Sequence, residues 1–215
     1  MDDLVITGTS QDDIDKFKQE MQRLFKMSDL GLLSYYLGIQ VEQRSGEVKI
    51  CQSSYAQKIL EVARIEQCNP CATPMECCVK LSKRDGAEAV DATLYMSVIV
   101  SLRYLVNTRP DIACAVGIVS RYMEAPSKQH WTAVKQILRY VQGTKGYGCC
   151  YRASAKGLML TGYRDSDHAG DIDDRNSTSG VVFMPGKNIV TWSSQKQKIV
   201  TTSVEYMCCM YMCIS

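Results

Sequence analysis

No stretch of this 215-residue chain is apolar for long enough to cross a bilayer. The acidic start, with Asp2 and Asp3 directly after Met1, excludes a secretory n-region ahead of a hydrophobic stretch. The protein is therefore expected to be cytoplasmic or nuclear, with no membrane partner. An excess of one charge is also missing. Against 23 Asp and Glu stand 25 Lys and Arg, a net charge of +2, so any nucleic-acid-binding surface has to come from local placement of cations. There is no internal repeat and no low-complexity segment. A second C-x2-C pair is absent too: Cys68 and Cys71 are followed by adjacent Cys77 and Cys78, awkward ligands for a single tetrahedral ion, which disfavours zinc. With no secretory signal, the 11 cysteines read as thiols and not as a disulfide framework, and the doublets Cys149-Cys150 and Cys208-Cys209 read as small buried apolar residues. What is present is a globular composition, 46% hydrophobic and 22% charged, in a length that fits one large domain or two small ones.

Local patterns give an α+β reading. Leu4, Val5 and Ile6, closed by Thr7 and Gly8, form a short β-run. Ser10 with Asp13 signals the start of a helix to about Lys26, whose residues Ile14, Phe17, Met21, Leu24 and Phe25 fall in one sector and are expected to face the core. "LSYYLGIQVEQ" and "EVKICQ" alternate around Ser45 and Gly46 as a hairpin, and a short helix runs from Ser53 or Ser54 to Ile65, ahead of the breakers Pro70 and Pro74. Residues 82–91 are polar and turn-rich and are expected to form a flexible loop. Three helices then cover about 91–107, 110–123 and 127–142, with Pro110 in a first turn, Ser127 as an N-cap and Gly143 as a stop. "YGCCYR", "GLMLTGYRDSD", "TSGVVFM" and "NIVTWSS" are four β-runs, and a helix is expected from about Ser203 to Ser215.

Two constellations carry chemistry. The first is acidic. Adjacent Asp2 and Asp3 at a strand edge are either a solvated terminus or ligands for a divalent metal in phosphoryl transfer, where charge on the attacking and leaving oxygens must be neutralised. Asp165 ends a β-run, with Asp167, Asp171, Asp173 and Asp174 behind it. A strand that delivers a carboxylate, then a hairpin, then a helix bearing Glu205, is how a ribonuclease H-type fold gathers metal ligands, whereas Asp173 and Asp174 read as turn formers. The second is basic. On the third helix Lys128, Lys135 and Arg139 fall within about 40° of one another on one face, while Trp131, Val134, Leu138 and Val141 share another. They are a solvated face or a contact for a phosphate backbone, and Lys196 and Lys198 near Trp192 are of the same kind.

The blocks "MDDLVITG", "MSDLGLLSYYLGIQV", "TPM", "SLRYLVNTRPDIACAVGIVSRYMEAPSKQHW", "QILRYVQGT", "GYRDSDHAGDIDDRNSTSG" and "TWSSQKQKIVTTS" occur in the order of one family, across essentially the whole chain. The chain resembles the Pol polyprotein of copia-type LTR retrotransposons of the kind abundant in plants. The resemblance implies that Asp2 and Asp3 match the paired aspartates of the polymerase palm, and Asp165 and Glu205 the first two carboxylates of the ribonuclease H site, both sites using Mg²⁺. It further implies a reverse transcriptase palm and thumb remnant over 1–80, a helical connection over 81–146 and a truncated ribonuclease H-like mixed sheet over 147–215. The implied partners are RNA:DNA hybrid or single-stranded nucleic acid and the remainder of the Pol polyprotein.

This sequence also departs from the family pattern. Only Met1 precedes Asp2, where the family has a further polymerase carboxylate, and "TTSVEY" is three residues shorter than the family's segment before Glu205. Asp165 and Glu205 are expected to lie side by side. Three functions follow from these readings: a catalytic piece of a full Pol polyprotein, inactive alone; a nucleic-acid-binding module without chemistry; or an inert relic of an insertion.

Overall fold

Described by a computed structural model are residues 4–76, 79–154, 159–167, 169–198 and 210–213. Among the described residues the architecture is α+β, with five α-helices and two four-stranded sheets in which every pairing is antiparallel. The expected mixed sheet is thus corrected to an antiparallel one.

Helix α1 (Gln11–Leu24) starts where expected, with the Ser10 hydroxyl accepting from the Asp13 N–H at 3.3 Å. Its apolar stripe, however, is not core. No residue of α1 is buried, and Phe17, Leu24 and Phe25 are 44%, 62% and 57% exposed. Amphipathic spacing shows which face would be covered, and nothing among the described residues covers it. The opening run meets the same fate: Leu4–Ile6 is irregular, because β-branched residues form a strand only where a neighbour takes their hydrogen bonds.

The first sheet has the order β1 (Tyr35–Tyr36), β2 (Ile39–Arg44), β3 (Glu47–Cys51), β4 (Gly148–Arg152). β2 and β3 are the expected hairpin around Gly46, which turns at φ +73°. β4, the first of the four β-runs, pairs with β3. It can lie there because Gly148 faces Cys51: a β-carbon on Gly148 would stand 2.0 Å from the Ile50 carbonyl oxygen. Of the Cys149-Cys150 doublet only Cys149 is buried.

Between β3 and β4 the chain builds its main core from α2 (Ser53–Val62), α3 (Ala92–Leu105), α4 (Ala113–Val119) and α5 (Lys128–Gly143). The expected helix over 110–123 is shorter than read, with 3₁₀ turns at 110–112 and 120–122 flanking α4. Val134, Ile137, Leu138 and Val141 of α5 are fully buried against Leu60, Tyr95, Ile99 and Leu102. Arg109, 1% exposed, ties the far end of α5 in place. Its guanidinium donates to Asp111 and to the Thr144 carbonyl and hydroxyl, between the rings of Tyr140 and Tyr147.

The polar segment 82–91, expected to be flexible, is held at several points. Val90 N–H donates to the Pro126 carbonyl, Lys128 N–H to that of Glu88, and the Ser127 hydroxyl to Asp85. Ser127 caps α5 as expected, and His130 completes the box: its Nδ1 accepts from the Ser127 N–H at 3.0 Å while Nε2 donates to the Ser82 carbonyl at 3.0 Å. These two bonds require the neutral imidazole, stacked on Tyr122 with ring centroids 3.9 Å apart.

The second sheet has the order β7 (Thr191–Lys196), β6 (Thr178–Pro185), β5 (Met159–Ser166), β8 (Met210–Cys213). The expected terminal helix is corrected at residues 210–213, which form a strand beside β5; residues 203–209, 214 and 215 lie outside the described residues. β8 pairs antiparallel with β5, from Met159 opposite Cys213 to Gly162 opposite Met210. The sheet is fastened to the helices through Trp192, whose indole N–H donates to the Val106 carbonyl at 3.1 Å.

Burial lowers the pKa of His130 from its ordinary 6.5, an effect that Asp85 and the Ser82 bond oppose without reversing. A histidine with a depressed folded pKa takes up protons first in the unfolded chain, so stability is full above about 6.5 and falls as the pH drops below it. Thermal melting at pH values from about 7.5 to 5.5 should show that fall, and His130→Gln should flatten it while lowering the plateau by roughly 1 kcal/mol through the lost cap.

Candidate nucleic-acid interface

Behind Asp165, the carboxylates Asp167, Asp171, Asp173 and Asp174 are bound to protein groups. Asp171 is 6% exposed, and one carboxylate oxygen meets Lys196 Nζ at 2.6 Å and Arg121 Nη1 at 3.3 Å, while the other accepts the Asp173 N–H at 3.0 Å. Arg121 also donates to the Thr178 hydroxyl, so its guanidinium joins the turn after α4 to β6, while the Asp171 carboxylate links it to Lys196 of β7. Asp173 reaches back to the Ser82 hydroxyl at 2.5 Å and the Lys83 N–H at 2.8 Å, bonds that hold its carboxyl below the usual range. Asp174 pairs with Lys196 at 2.7 Å, which lowers its pKa as well. Burial pulls the Lys196 ammonium down, but its hydrogen bonds and charge attraction to Asp171 and Asp174 outweigh that and raise it.

Asp167 Oδ1 accepts the Thr178 N–H at 2.5 Å. Asp165 is opposite Gly180 near the end of the interior strand β5, with its side chain exposed. Asp2, Asp3 and Glu205 lie outside the described residues, as do His168, Cys77 and Cys78. The expected pairing of Asp165 with Glu205 falls there too. Among the described residues no three His, Cys, Asp or Glu side chains converge as ligands. The 171–174 loop does not fit a divalent ion, because Asp171, Asp173 and Asp174 already have cationic or N–H partners.

The basic constellation divides. Lys196 is committed to the two aspartates, whereas Lys198 is exposed. On α5, Lys128 pairs with Glu88 at the surface. Arg139 is exposed and anchors the segment before Pro70 through its Nε, which donates to the Asn69 carbonyl at 2.7 Å. Lys135 is exposed between them. Beside Lys135 and Arg139 runs a groove of about 570 Å³, lined also by Arg64, Gln67, Leu94 and Trp131. Neither Arg64, Lys135 nor Arg139 has a carboxylate within ion-pair distance among the described residues, so the groove carries three unneutralised cations. Arg64, which sequence reasoning missed, sits just past α2 with no local pattern to mark it; only the packing of α2 beside α5 brings it there.

The described residues thus hold two antiparallel sheets, a helical core and a basic groove beside α5, and comparison with known proteins gives the kind of protein. Residues 1–77 match the family described as reverse transcriptase (RNA-dependent DNA polymerase). The chain is 39% identical over 219 residues to the retrovirus-related Pol polyprotein from transposon TNT 1-94 of Nicotiana tabacum, covering 96% of this chain and 16% of that protein. It is 35% identical over 206 residues to the corresponding polyprotein from transposon RE2 of Arabidopsis thaliana, covering 95% and 14%. It is also 35% identical over 204 residues to an uncharacterized mitochondrial protein of Arabidopsis thaliana, covering 94% and 84%. The chain belongs to the copia-type retrotransposon Pol polyprotein family, and it spans about a sixth of the length of the Pol polyproteins it matches. No solved structure matches it. No helix among the described residues is long and apolar enough to cross a membrane.

Asp171→Asn should lower stability by about 2 kcal/mol in urea denaturation, less than the 3–5 kcal/mol of a fully buried pair because Arg121 and Lys196 keep some solvent. Asp165→Asn, at an exposed carboxylate, should stay within about 0.5 kcal/mol of the parent.

Proposed function

We propose that this chain serves a Pol polyprotein as the region that follows the paired aspartates of the polymerase and leads into the ribonuclease H fold, and that its own contribution is to hold nucleic acid. The observation that carries this reading is the unneutralised basic edge of α5, where Lys135 and Arg139 stand on a rigid, fully packed helix. A duplex presents a continuous row of phosphates, and cations on one helix face release its counterions on binding. Lys128, on the same edge, is paired with Glu88, and Lys198 adds an exposed cation just past β7. RNA:DNA hybrid is the ligand this reading favours, because the family's chemistry makes and degrades it.

The ribonuclease H assignment of the second sheet belongs to the same proposal. It is supported by the antiparallel run β5, β6, β7 with Asp165 near the end of its first strand. The family's divalent metal would supply charge neutralisation at Asp2 and Asp3 and at Asp165 and Glu205. Two-metal chemistry needs carboxylates from several strands around one reacting phosphate, so the chain by itself is expected to be inactive.

Two outcomes test the reading. Binding of a blunt RNA:DNA hybrid should weaken steeply with salt, and Lys135→Glu should reduce both the affinity and the slope of log K against log salt by about one contact's worth, roughly 0.9. Affinity independent of salt would overturn it. With Mg²⁺ and deoxynucleotides the chain alone should extend no primer on an RNA template; extension abolished by Asp3→Ala would overturn the proposal of inactivity.

A further inference from the structure

The groove beside α5 has more in it than charge. Trp131 lines it, half-buried, its indole tilted at 53° to the buried Tyr95 ring with centroids 6.2 Å apart, and Leu94, 38% exposed, forms the apolar wall. Arg64, Lys135 and Arg139 line the same space. Duplex phosphates need cations alone, because paired bases are stacked on one another and offer no face to a side chain. An indole and an aliphatic wall next to three cations match a different ligand: a nucleotide whose base is unpaired and whose phosphate lies alongside. At about 570 Å³ the groove is in the size range of small-ligand sites and takes a single nucleotide unit more readily than a helix.

Arg64 adds an independent observation. α2 ends in a Schellman motif: Ile65 N–H donates to the Leu60 carbonyl and Arg64 N–H to that of Glu61, with Arg64 itself at φ +55°. This is the left-handed position that glycine occupies in most helices ending this way, since a β-carbon is strained there. The backbone would be better served by glycine, and the chain instead carries the longest cationic side chain at that point, on the rim of the groove.

We propose that the groove formed by Arg64, Leu94, Trp131, Lys135 and Arg139 is a binding site for an unpaired nucleotide at a single-stranded end or overhang, with the base on Trp131 and the phosphate among the three cations. The proposal rests on the reading of α5 as a nucleic-acid contact and narrows it to a strand feature. A hybrid with a single-stranded overhang then binds through both the duplex contact and the groove, and a blunt hybrid through the first alone.

The test is fluorescence anisotropy of the full chain with three labelled probes: a blunt RNA:DNA hybrid, the same hybrid with a short overhang, and that overhang made abasic. The overhang should bind roughly tenfold tighter than the blunt hybrid, and the abasic overhang should fall back most of the way towards it. Trp131→Leu should abolish the overhang's advantage. Because Trp131 also packs on Tyr95, Arg64→Gly serves as the second variant: it should lose most of the advantage while raising the melting temperature, an opposition that a merely structural residue would not show. Equal binding of blunt and overhang probes overturns the groove proposal and leaves the duplex contact standing. Equal binding of abasic and ordinary overhangs overturns the stacking role, and binding of none of the probes overturns both readings.

Discussion

The buried face of α5 is the constraint on which the other elements depend. Val134, Ile137, Leu138 and Val141 lie against α2 and α3, and each end of the helix is closed by a polar lock. At the start, Ser127, His130 and Asp85 tie in the segment before α3; at the finish, Arg109 fixes Thr144 and so aims the chain into β4. Apolar burial decides that the helix is inside, and the two locks decide its rotation. With the rotation set, Lys135 and Arg139 have one direction left to them, towards solvent and the end of α2. The groove is thus a by-product of packing: Trp131, Lys135 and Arg139 share one edge of α5, and only packing brings Arg64 and Leu94 beside them.

Much of this was legible in the sequence. The heptad-like spacing on α5 assigned its core and its basic edge together, Ser127 marked its start, and alternation marked the β2–β3 hairpin and the strands β5, β6 and β7. The failures share a cause. Leu4–Ile6 and the stripe on α1 are good local patterns without a described partner, and a pattern states only which face a segment would bury. The segment 82–91 looked loose because its composition is polar, yet its polar groups are what fasten it, through Asp85 to Ser127 and through Ser82 to Asp173. Arg64 was invisible because a left-handed helix end shows in sequence only when glycine marks it.

The acidic loop is instructive in the opposite direction. Its density of aspartates suggested ligands, and most of them instead bind protein groups: Asp171 bridges Arg121 and Lys196, Asp173 holds Ser82 and Lys83, and Asp174 shares Lys196. Lys196, read from sequence as a candidate phosphate contact, is the counter-charge for this loop. Basic and acidic candidates that look like separate sites along the chain can neutralise one another once folded, and what remains for a ligand is the residue left without a partner. By that criterion α5 and Arg64 keep their charge while the 171–174 loop does not.

The uncovered stripe of α1 has a thermodynamic consequence. Heat capacity of unfolding measures apolar surface that folding removes from water. Phe17, Leu24 and Phe25 of that face keep much of their surface in water in the folded chain, as do Leu30 and Leu32 beyond the helix at 88% and 81% exposure, so together they add less to it than buried residues would. Unfolding therefore transfers less hydrocarbon into water than the chain's length implies. The stability curve is flatter against temperature, and the denaturant dependence shallower, than for a globular chain of equal length whose amphipathic helices are all covered.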